Sequence, residues 1–441
     1  MNMPWTLARQ TARAATPLET VELPLPDALG FALASGVRAL TSQPTCDTSA
    51  MDGYAVAGPG PWTVVGRATT GDPVPDVRLR PGEAFGVATG APVPSGADSV
   101  VPVERCTLVG AQLLSECQHC DNRGSGVQAR DAGEDRPSGG EHQPTTARGL
   151  PRPDRHHLAS QYPGHDLPAA PHLQGEHQPA NGKHIRRRGE DWSAGDELVP
   201  GGSTVTPAVL GLAAGAGHDT LLVHRRPRVT VLVTGDELLH QGPPRPGLVR
   251  DAIGPMLPGL LSGADLLGTT HLPDDPAALT DALAQDRADV VVTCGATSVG
   301  PADHLRRVLE SLNAEILVGG VACRPGHPML LAVLPDGRCV VGLPGNPFAA
   351  LAAVLTLLGP LLDALGGHAE RPAITAWLPD VNAHPRDTRL IPVVRSGTGV
   401  VPVGHDRPGS LWGAALADAL AVVPPGHAGG EVEILTSGSS S

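Results

Sequence analysis

Apolar positions change their spacing several times along this chain. Residues 4 to 40 carry Ala8, Ala12 and Ala15 at helical spacing, then an apolar stretch from Asp27 to Ser35, and read as helical. From 44 to 104 the pattern shortens to Trp62-Thr-Val-Val65, Ala84-Phe-Gly-Val-Ala88 and Ser99-Val-Val-Pro-Val103, split by Pro and Gly, which predicts a small β-rich module. Between 111 and 182 the pattern collapses: seven of 72 residues are Val, Ile, Leu or Phe, too few to build a core, so this stretch is expected to be disordered. Its Gly140-Glu-His-Gln-Pro144 recurs as Gly175-Glu-His-Gln-Pro179. Thr206 and Pro207 then supply an N-cap and a first helical residue.

From 228 to 365 the texture is α/β. Val229–Val233 and Asp289–Thr293 are continuous apolar runs, as expected of strands buried on both faces of a parallel sheet. Helices are expected at 252–263, 276–286 and 302–312. A third strand, Arg338–Gly342, leads into Leu343-Pro-Gly-Asn-Pro347 and an Ala/Leu helix capped by Asn346 with Pro347 as its first residue. The most apolar stretch, Phe348–Leu362, contains Thr356, Gly359 and Pro360 and reads as too short and too interrupted to span a bilayer. Short β-like runs resume from 373 to 437.

Composition narrows the picture. The 441 residues suggest roughly three compact units. A net charge of −13 argues against sequence-independent nucleic-acid binding and against anionic membranes. With 3 Phe, 5 Trp and 2 Tyr, the cores must be built from Ala, Val and Leu. Seven cysteines without an apolar leader read as reduced thiols in a cytoplasmic protein.

Two loops follow predicted strands, where open parallel sheets bind ligands. In Thr234-Gly235-Asp236-Glu237 a glycine turn precedes carboxylates suited to a hard cation such as Mg²⁺. In Gly295-Ala-Thr297-Ser298-Val-Gly300-Pro-Ala-Asp303 backbone N–H groups and a helix start form an anion cradle, with Thr297 and Ser298 as further donors. Together they suggest a phosphate-bearing ligand with Mg²⁺, although strand–Gly–Asp turns are common and Asp303 can equally cap its helix. Arg324-Pro-Gly-His327-Pro places a permanent cation on a fixed turn. Arg186-Arg-Arg-Gly-Glu-Asp191 reads most simply as a solvated charged loop, and Asp52-Gly53 as a turn. Cys117-x-x-Cys120 has no second Cys pair to complete a zinc site.

Six segments occur in order: Ser49-Ala-Met-Asp-Gly-Tyr-Ala55, Thr89-Gly-Ala-Pro92, Ile185-Arg-Arg-Arg-Gly-Glu-Asp191, Thr234-Gly-Asp-Glu-Leu238, Ser298-Val-Gly-x-x-Asp303 and Leu343-Pro-Gly-Asn-Pro347. Through them the chain closely resembles the molybdopterin molybdenumtransferase family, the MoeA and gephyrin E-domain group. The resemblance covers about 1–105 and 183–437. It implies an α/β multidomain fold: a helical linking domain (1–43 and 183–223), a β-rich lid domain (44–182, with the atypical, disordered stretch 106–182), a central MoaB/MogA-like α/β sandwich that binds molybdopterin (224–369), and a C-terminal β-barrel-like domain (370–437). It further implies a homodimer with its active site between subunits. The implied reaction inserts molybdate into adenylylated molybdopterin and releases AMP in a Mg²⁺-dependent step, downstream of a molybdopterin adenylyltransferase.

By the same resemblance, Asp52, Thr89, Asp191, Glu237 and Asp303 are the expected catalytic positions, with Glu237 and Asp303 at the metal. Thr234, Gly235, Asp236, Gly295, Thr297, Ser298, Gly300, Arg324, His327, Pro344 and Pro347 are expected to bind substrate, the last two beside the molybdate pocket. The chain departs from the family in four places. Arg324 and His327 stand where two lysines are usual, so one fixed cation is kept and the other becomes a titrating imidazole. Ala296 replaces a glycine, and Asp251-Ala-Ile253 replaces Asp-Ser-Asn. Residues 106–182 replace a much shorter β-rich stretch, which suggests a frame-shifted or inserted sequence. Two rival readings follow: a catalytically impaired molybdopterin-binding scaffold of the same fold, and a nucleotidyl-transfer enzyme built on the α/β unit alone. The extra domains argue against the second.

Overall fold

The two continuous apolar runs at the centre of the chain become neighbouring parallel strands, and the rest of the larger unit is arranged around them. The structure, a computed structural model, describes residues 2–115, 180–261, 263–295 and 304–436. The chain divides into two compact units, Met1–Gln43 with Asp191–Ser441 and Pro44–Glu190.

The central sheet of the larger unit has six strands in the order Asp265–Leu272, Arg228–Thr234, Val290–Cys294, Cys339–Leu343, Leu330–Val333 and Glu315–Val318. The first four are parallel and the last two antiparallel. Every residue of Val290–Cys294 and of Cys339–Leu343 is buried, which is why these segments carry near-continuous apolar runs instead of alternation. On one face lies the helix over Pro347–Leu365, and on the other Pro276–Gln285 and Leu305–Ser311. Asp275 caps Pro276–Gln285 by accepting the N–H groups of Ala277 and Ala278. The helix expected over 252–263 is a single turn, Leu257–Leu260, and that expected at 302–312 is described as Leu305–Ser311.

Pro347–Leu365 is one uninterrupted helix of 19 residues, long and apolar enough by composition to cross a membrane. This corrects the reading of Phe348–Leu362 as too short. A wide turn over Val354–Leu358 lets the helix continue into Gly359 and Pro360, whose ring and missing N–H would otherwise break it. The helix is a core element: Phe348, Ala350, Leu357 and Leu358 are fully buried. The N-terminal helix Trp5–Arg13 packs on it through Ala8 and Ala12, and the Trp5 indole N–H donates to Thr356 Oγ1 at 3.1 Å.

Helix does not extend over 4–40 as the spacing suggests. It stops at Arg13, and Thr20–Pro24 and Ala32–Leu33 are strands that sandwich Thr220–His224. Pro17, Pro24 and Pro26 explain the stop, since proline disfavours helix at the residue before it. The linking region is therefore largely β. Its own helix is Pro207–Gly215, where the Thr206 hydroxyl accepts the Val209 N–H as expected.

The C-terminal residues form a closed barrel. Thr388–Ser396 pairs with Gly399–Pro402 and with Ala419–Val423, and Thr375–Leu378 and Gly430–Leu435 complete the ring. The smaller unit holds a six-stranded sheet in the order 99–102, 53–56, 83–87, 62–68, 112–115 and 106–109. Its last two strands, Cys106–Val109 and Gln112–Ser115, correct the expectation of disorder from 106 onward. Leu113 is fully buried with Trp62, so a single well-placed leucine extends the sheet into a sequence of poor texture. Residues 116–179, with Cys117 and Cys120, lie outside the described residues.

At the strand starts, Asp289 accepts from the guanidinium of Arg225 at 2.6 and 2.9 Å, from the Arg228 side chain at 3.2 Å, and from the Arg228 backbone N–H at 2.8 Å. Burial pushes the Asp289 carboxyl up, but the two arginines outweigh it and hold it far below the usual carboxylate range. Its stabilisation is complete above the ordinary aspartate value near 3.9 and is lost as pH falls through the depressed folded value. Asp289→Asn is expected to cost about 2 kcal/mol at neutral pH. Urea unfolding should show this gap at pH 7 and see it shrink as pH drops below about 4.

Candidate active site

Three loops leave the C-terminal ends of adjacent parallel strands: Thr234–Glu237, the loop beginning at Gly295, and Pro344–Pro347. They are tied together before they diverge. The buried Thr234 hydroxyl donates to the Cys294 carbonyl at 3.1 Å, and the Gly295 N–H donates to the Leu343 carbonyl at 3.0 Å. Gly295 has φ +96°, and a Cβ there would lie 2.9 Å from Thr234 Oγ1, so both conformation and space require glycine. Asp236 and Asp274 exchange backbone-to-carboxylate bonds at 3.3 Å, which fixes the turn. Asp236 and Glu237 are exposed beyond it. These oxygen donors fit a hard cation such as Mg²⁺. Thr297, Ser298, Gly300 and Asp303, and the substituted Ala296, lie outside the described residues.

A second feature opens beside these loops. Arg324 to Pro328, Pro344 and Asn346 from the α/β domain, with Asn382, His384, Arg389 and Asp406 from the barrel, line a cavity of about 520 Å³. That is within the range of small-molecule sites. Arg324, His327 and Pro344, expected from the sequence to bind substrate, are thus brought together, while Pro347 begins the helix one residue beyond Asn346. Sequence reading missed Arg389 and Asp406. They lie in the tail, and only closure of the barrel carries them to the α/β domain.

The cations in this cavity are pre-oriented by carboxylates. Arg324 Nε donates to Asp387 at 2.8 Å, and Arg389 Nε donates to Asp406 at 3.1 Å. Burial pushes the Asp387 carboxyl up, but the Arg324 bond and neighbouring His384 hold it below its ordinary value. His384 Nδ1 accepts the Asp387 backbone N–H at 2.9 Å, which fixes that ring. His327 Nδ1 lies 3.1 Å from both the Val321 carbonyl oxygen and the Asn2 side-chain amide nitrogen, which fixes the ring in place. Burial, with the Asp387 charge adding to it, pushes the Cys323 thiol up to about 12, so this lining residue is not a nucleophile at neutral pH.

In the smaller unit the structure joins two expected residues. Asp52 Oδ1 accepts the Thr89 backbone N–H at 2.7 Å and its hydroxyl at 3.1 Å. The arginine run is organised around Asp47, which accepts from Arg187 Nη1 at 2.6 Å and from the Arg188 backbone N–H at 2.9 Å. Asp191 begins the returning part of the larger unit, its backbone N–H bonded to Gln43. The Asp251-Ala-Ile253 departure is absorbed structurally: Ile253 is buried in the main core, and Asp251 accepts the Ile253 and Gly254 N–H groups.

The larger unit thus combines a doubly covered, mostly parallel sheet carrying loops at its strand ends with a closed barrel that completes the cavity, and the smaller unit is β-rich. Residues 3–147 match the family model "MoeA N-terminal region (domain I and II)", and residues 230–364 match "Probable molybdopterin binding domain". The molybdopterin biosynthesis MoeA protein of Pyrococcus horikoshii superposes with a TM-score of 0.71 over 99% of both chains, at 24% identity, a likeness of fold. The chain is 32% identical over 395 residues to molybdopterin molybdenumtransferase 2 of Mycobacterium tuberculosis, covering 84% of this chain and 81% of that one. It is 30% identical over 384 residues to the molybdopterin molybdenumtransferase of Synechococcus elongatus, covering 83% and 80%. The chain belongs to the molybdopterin molybdenumtransferase family.

The cavity floor gives a direct prediction. Gly326 has φ +106°, and a Cβ there would lie 2.8 Å from Met329 Cε. Gly326→Ala should lower unfolding stability by more than about 1 kcal/mol, read in urea titration.

Proposed function

We propose that this chain is the transferase of molybdenum cofactor biosynthesis that inserts molybdate into adenylylated molybdopterin and releases AMP. The observation that carries the reading is the cavity holding Arg324 and Arg389, each pinned by a carboxylate, beside the strand-end loops. In this reading the two guanidinium groups hold the tetrahedral oxyanion, with His327 lining the same cavity. Thr234, Gly235, Asp236 and Gly295 present the loops that receive the phosphate portion of the substrate, and Pro344 and Pro347 set the edge of the oxyanion pocket. Thr297, Ser298 and Gly300 belong to the same cradle by motif.

Cleaving the phosphoanhydride frees AMP and develops charge on its phosphate, which must be neutralised at the strand ends. Glu237 with Asp303 would hold Mg²⁺, and the ion when bound supplies that neutralisation. Asp52, Thr89 and Asp191 are assigned as further polar contributors on the strength of their motifs. The Asp52–Thr89 bond keeps the first two in a fixed relation. A homodimer, a cytoplasmic location and a molybdopterin adenylyltransferase acting one step earlier belong to the same reading. The scaffold alternative is not favoured, since relatives matched over four-fifths of their length are named as transferases. The nucleotidyl-transfer alternative is disfavoured because the likeness extends beyond the α/β unit to both ends of the chain.

The test is AMP release from adenylylated molybdopterin with Mg²⁺ present. AMP should appear only when molybdate is added. Arg389→Ala should slow release by roughly 100-fold, because it removes a cation and leaves Asp406 facing the oxyanion unpaired. Binding of substrate without AMP release would restore the scaffold reading, and a monomer of 45.1 kDa in the assay would remove the dimer.

A further inference from the structure

Outside the cavity, His240, Asp251 and His271 gather at one point, and nothing in the proposed reaction uses the two histidines. One ligand atom from each of the three residues lies within 4.8 Å of the others. We propose that this cluster is a binding site for a divalent cation of the zinc class, held by two imidazoles and one carboxylate.

The carboxylate is built for the task. Asp251 is 7% exposed, and its Oδ1 is occupied by the N–H groups of Ile253 at 3.0 Å and Gly254 at 2.9 Å. Oδ2 is left pointing toward His271 Nε2 at 3.2 Å. Backbone donors on one oxygen thus orient the other, as outer-shell bonds do for metal-ligating carboxylates. A buried carboxylate needs a compensating cation. Among the described residues its one ion-pair partner is His271, whose ring lies against His240, tilted by 58° with centroids 3.8 Å apart. A single divalent ion satisfies all three groups.

The donor set also selects the metal. Two nitrogens and one oxygen suit Zn²⁺, Co²⁺ or Ni²⁺, whereas Mg²⁺ and Ca²⁺ take oxygen ligands. The two exposed imidazoles leave the remaining positions to water. The three residues come from different segments. His240 follows the short strand Leu238–Leu239, Asp251 follows its partner Val249–Arg250, and His271 lies near the end of Asp265–Leu272. A bound ion would therefore clasp the segment after Thr234–Glu237 to the sheet edge, separately from any Mg²⁺ on Glu237.

The experiment is titration of the untagged, full-length, metal-free protein with Co²⁺, read by the visible absorption of the bound ion and by the shift in melting temperature. One equivalent should bind and raise the melting temperature. His240→Gln and His271→Gln should each weaken binding by more than about 100-fold, beyond the loss expected from disturbing an outer shell. His240 is exposed, so His240→Gln should keep the metal-free melting temperature, which separates loss of a ligand from loss of fold. Undiminished binding in both variants would place the ion on other histidines, and no binding by the native chain at micromolar Co²⁺ would leave a plain His–Asp pair. Either result overturns the proposal.

Discussion

The arrangement of the larger unit depends on a polar clamp at the starts of its central strands. Val290–Cys294 and Cys339–Leu343 are buried on both faces, so a slip of one residue would exchange one apolar side chain for another at no cost in burial. Asp289 removes that freedom. Its side chain is held by Arg225 and Arg228, and its backbone N–H and carbonyl pair with Arg228 and Cys339, so three strands begin in step. At the other end the Thr234 hydroxyl and the Gly295 N–H repeat the arrangement, joining the same strands where they finish.

Fixed register at both ends has a consequence for chemistry. The loops that follow Thr234, Cys294 and Leu343 start from set positions, and the helix Pro347–Leu365 follows the third of them. Arg324-Pro-Gly-His327-Pro328 lies close by and meets the barrel, whose closure brings Arg389 and Asp406 opposite. Neither domain alone contains the cavity. In a chain of net −13 each cavity arginine is oriented by a carboxylate, Arg324 by Asp387 and Arg389 by Asp406, with the Asn382 carbonyl also accepting from Arg389.

Much of this was legible in the sequence, for identifiable reasons. Unbroken Val runs marked the doubly buried strands, and Thr206 and Asn346, each before a proline, marked helix starts. Ordered motifs pointed to the strand-end loops and to Arg324, His327 and Pro344. What escaped was long-range. The alanine spacing at 8 and 12 was real, but the prolines that follow limit it to one short helix. Leu113 orders a strand pair within a stretch whose composition argued against any. Arg389 and Asp406 carry no local signature, since their role exists only once the barrel closes. The same holds for His240, Asp251 and His271, which are separated in sequence: pairing of two short strands brings the first two together, and His271 comes from the edge strand Asp265–Leu272.

The central claim is that the cavity between the α/β domain and the barrel receives the oxyanion. The most direct measurement is anomalous diffraction from crystals of the full chain soaked in tungstate, a heavy analogue of molybdate. The account predicts one strong tungsten peak inside the cavity, within hydrogen-bonding reach of Arg324 and Arg389 and lost in Arg389→Ala. A tungsten peak elsewhere, with this cavity empty at saturating tungstate, would contradict it.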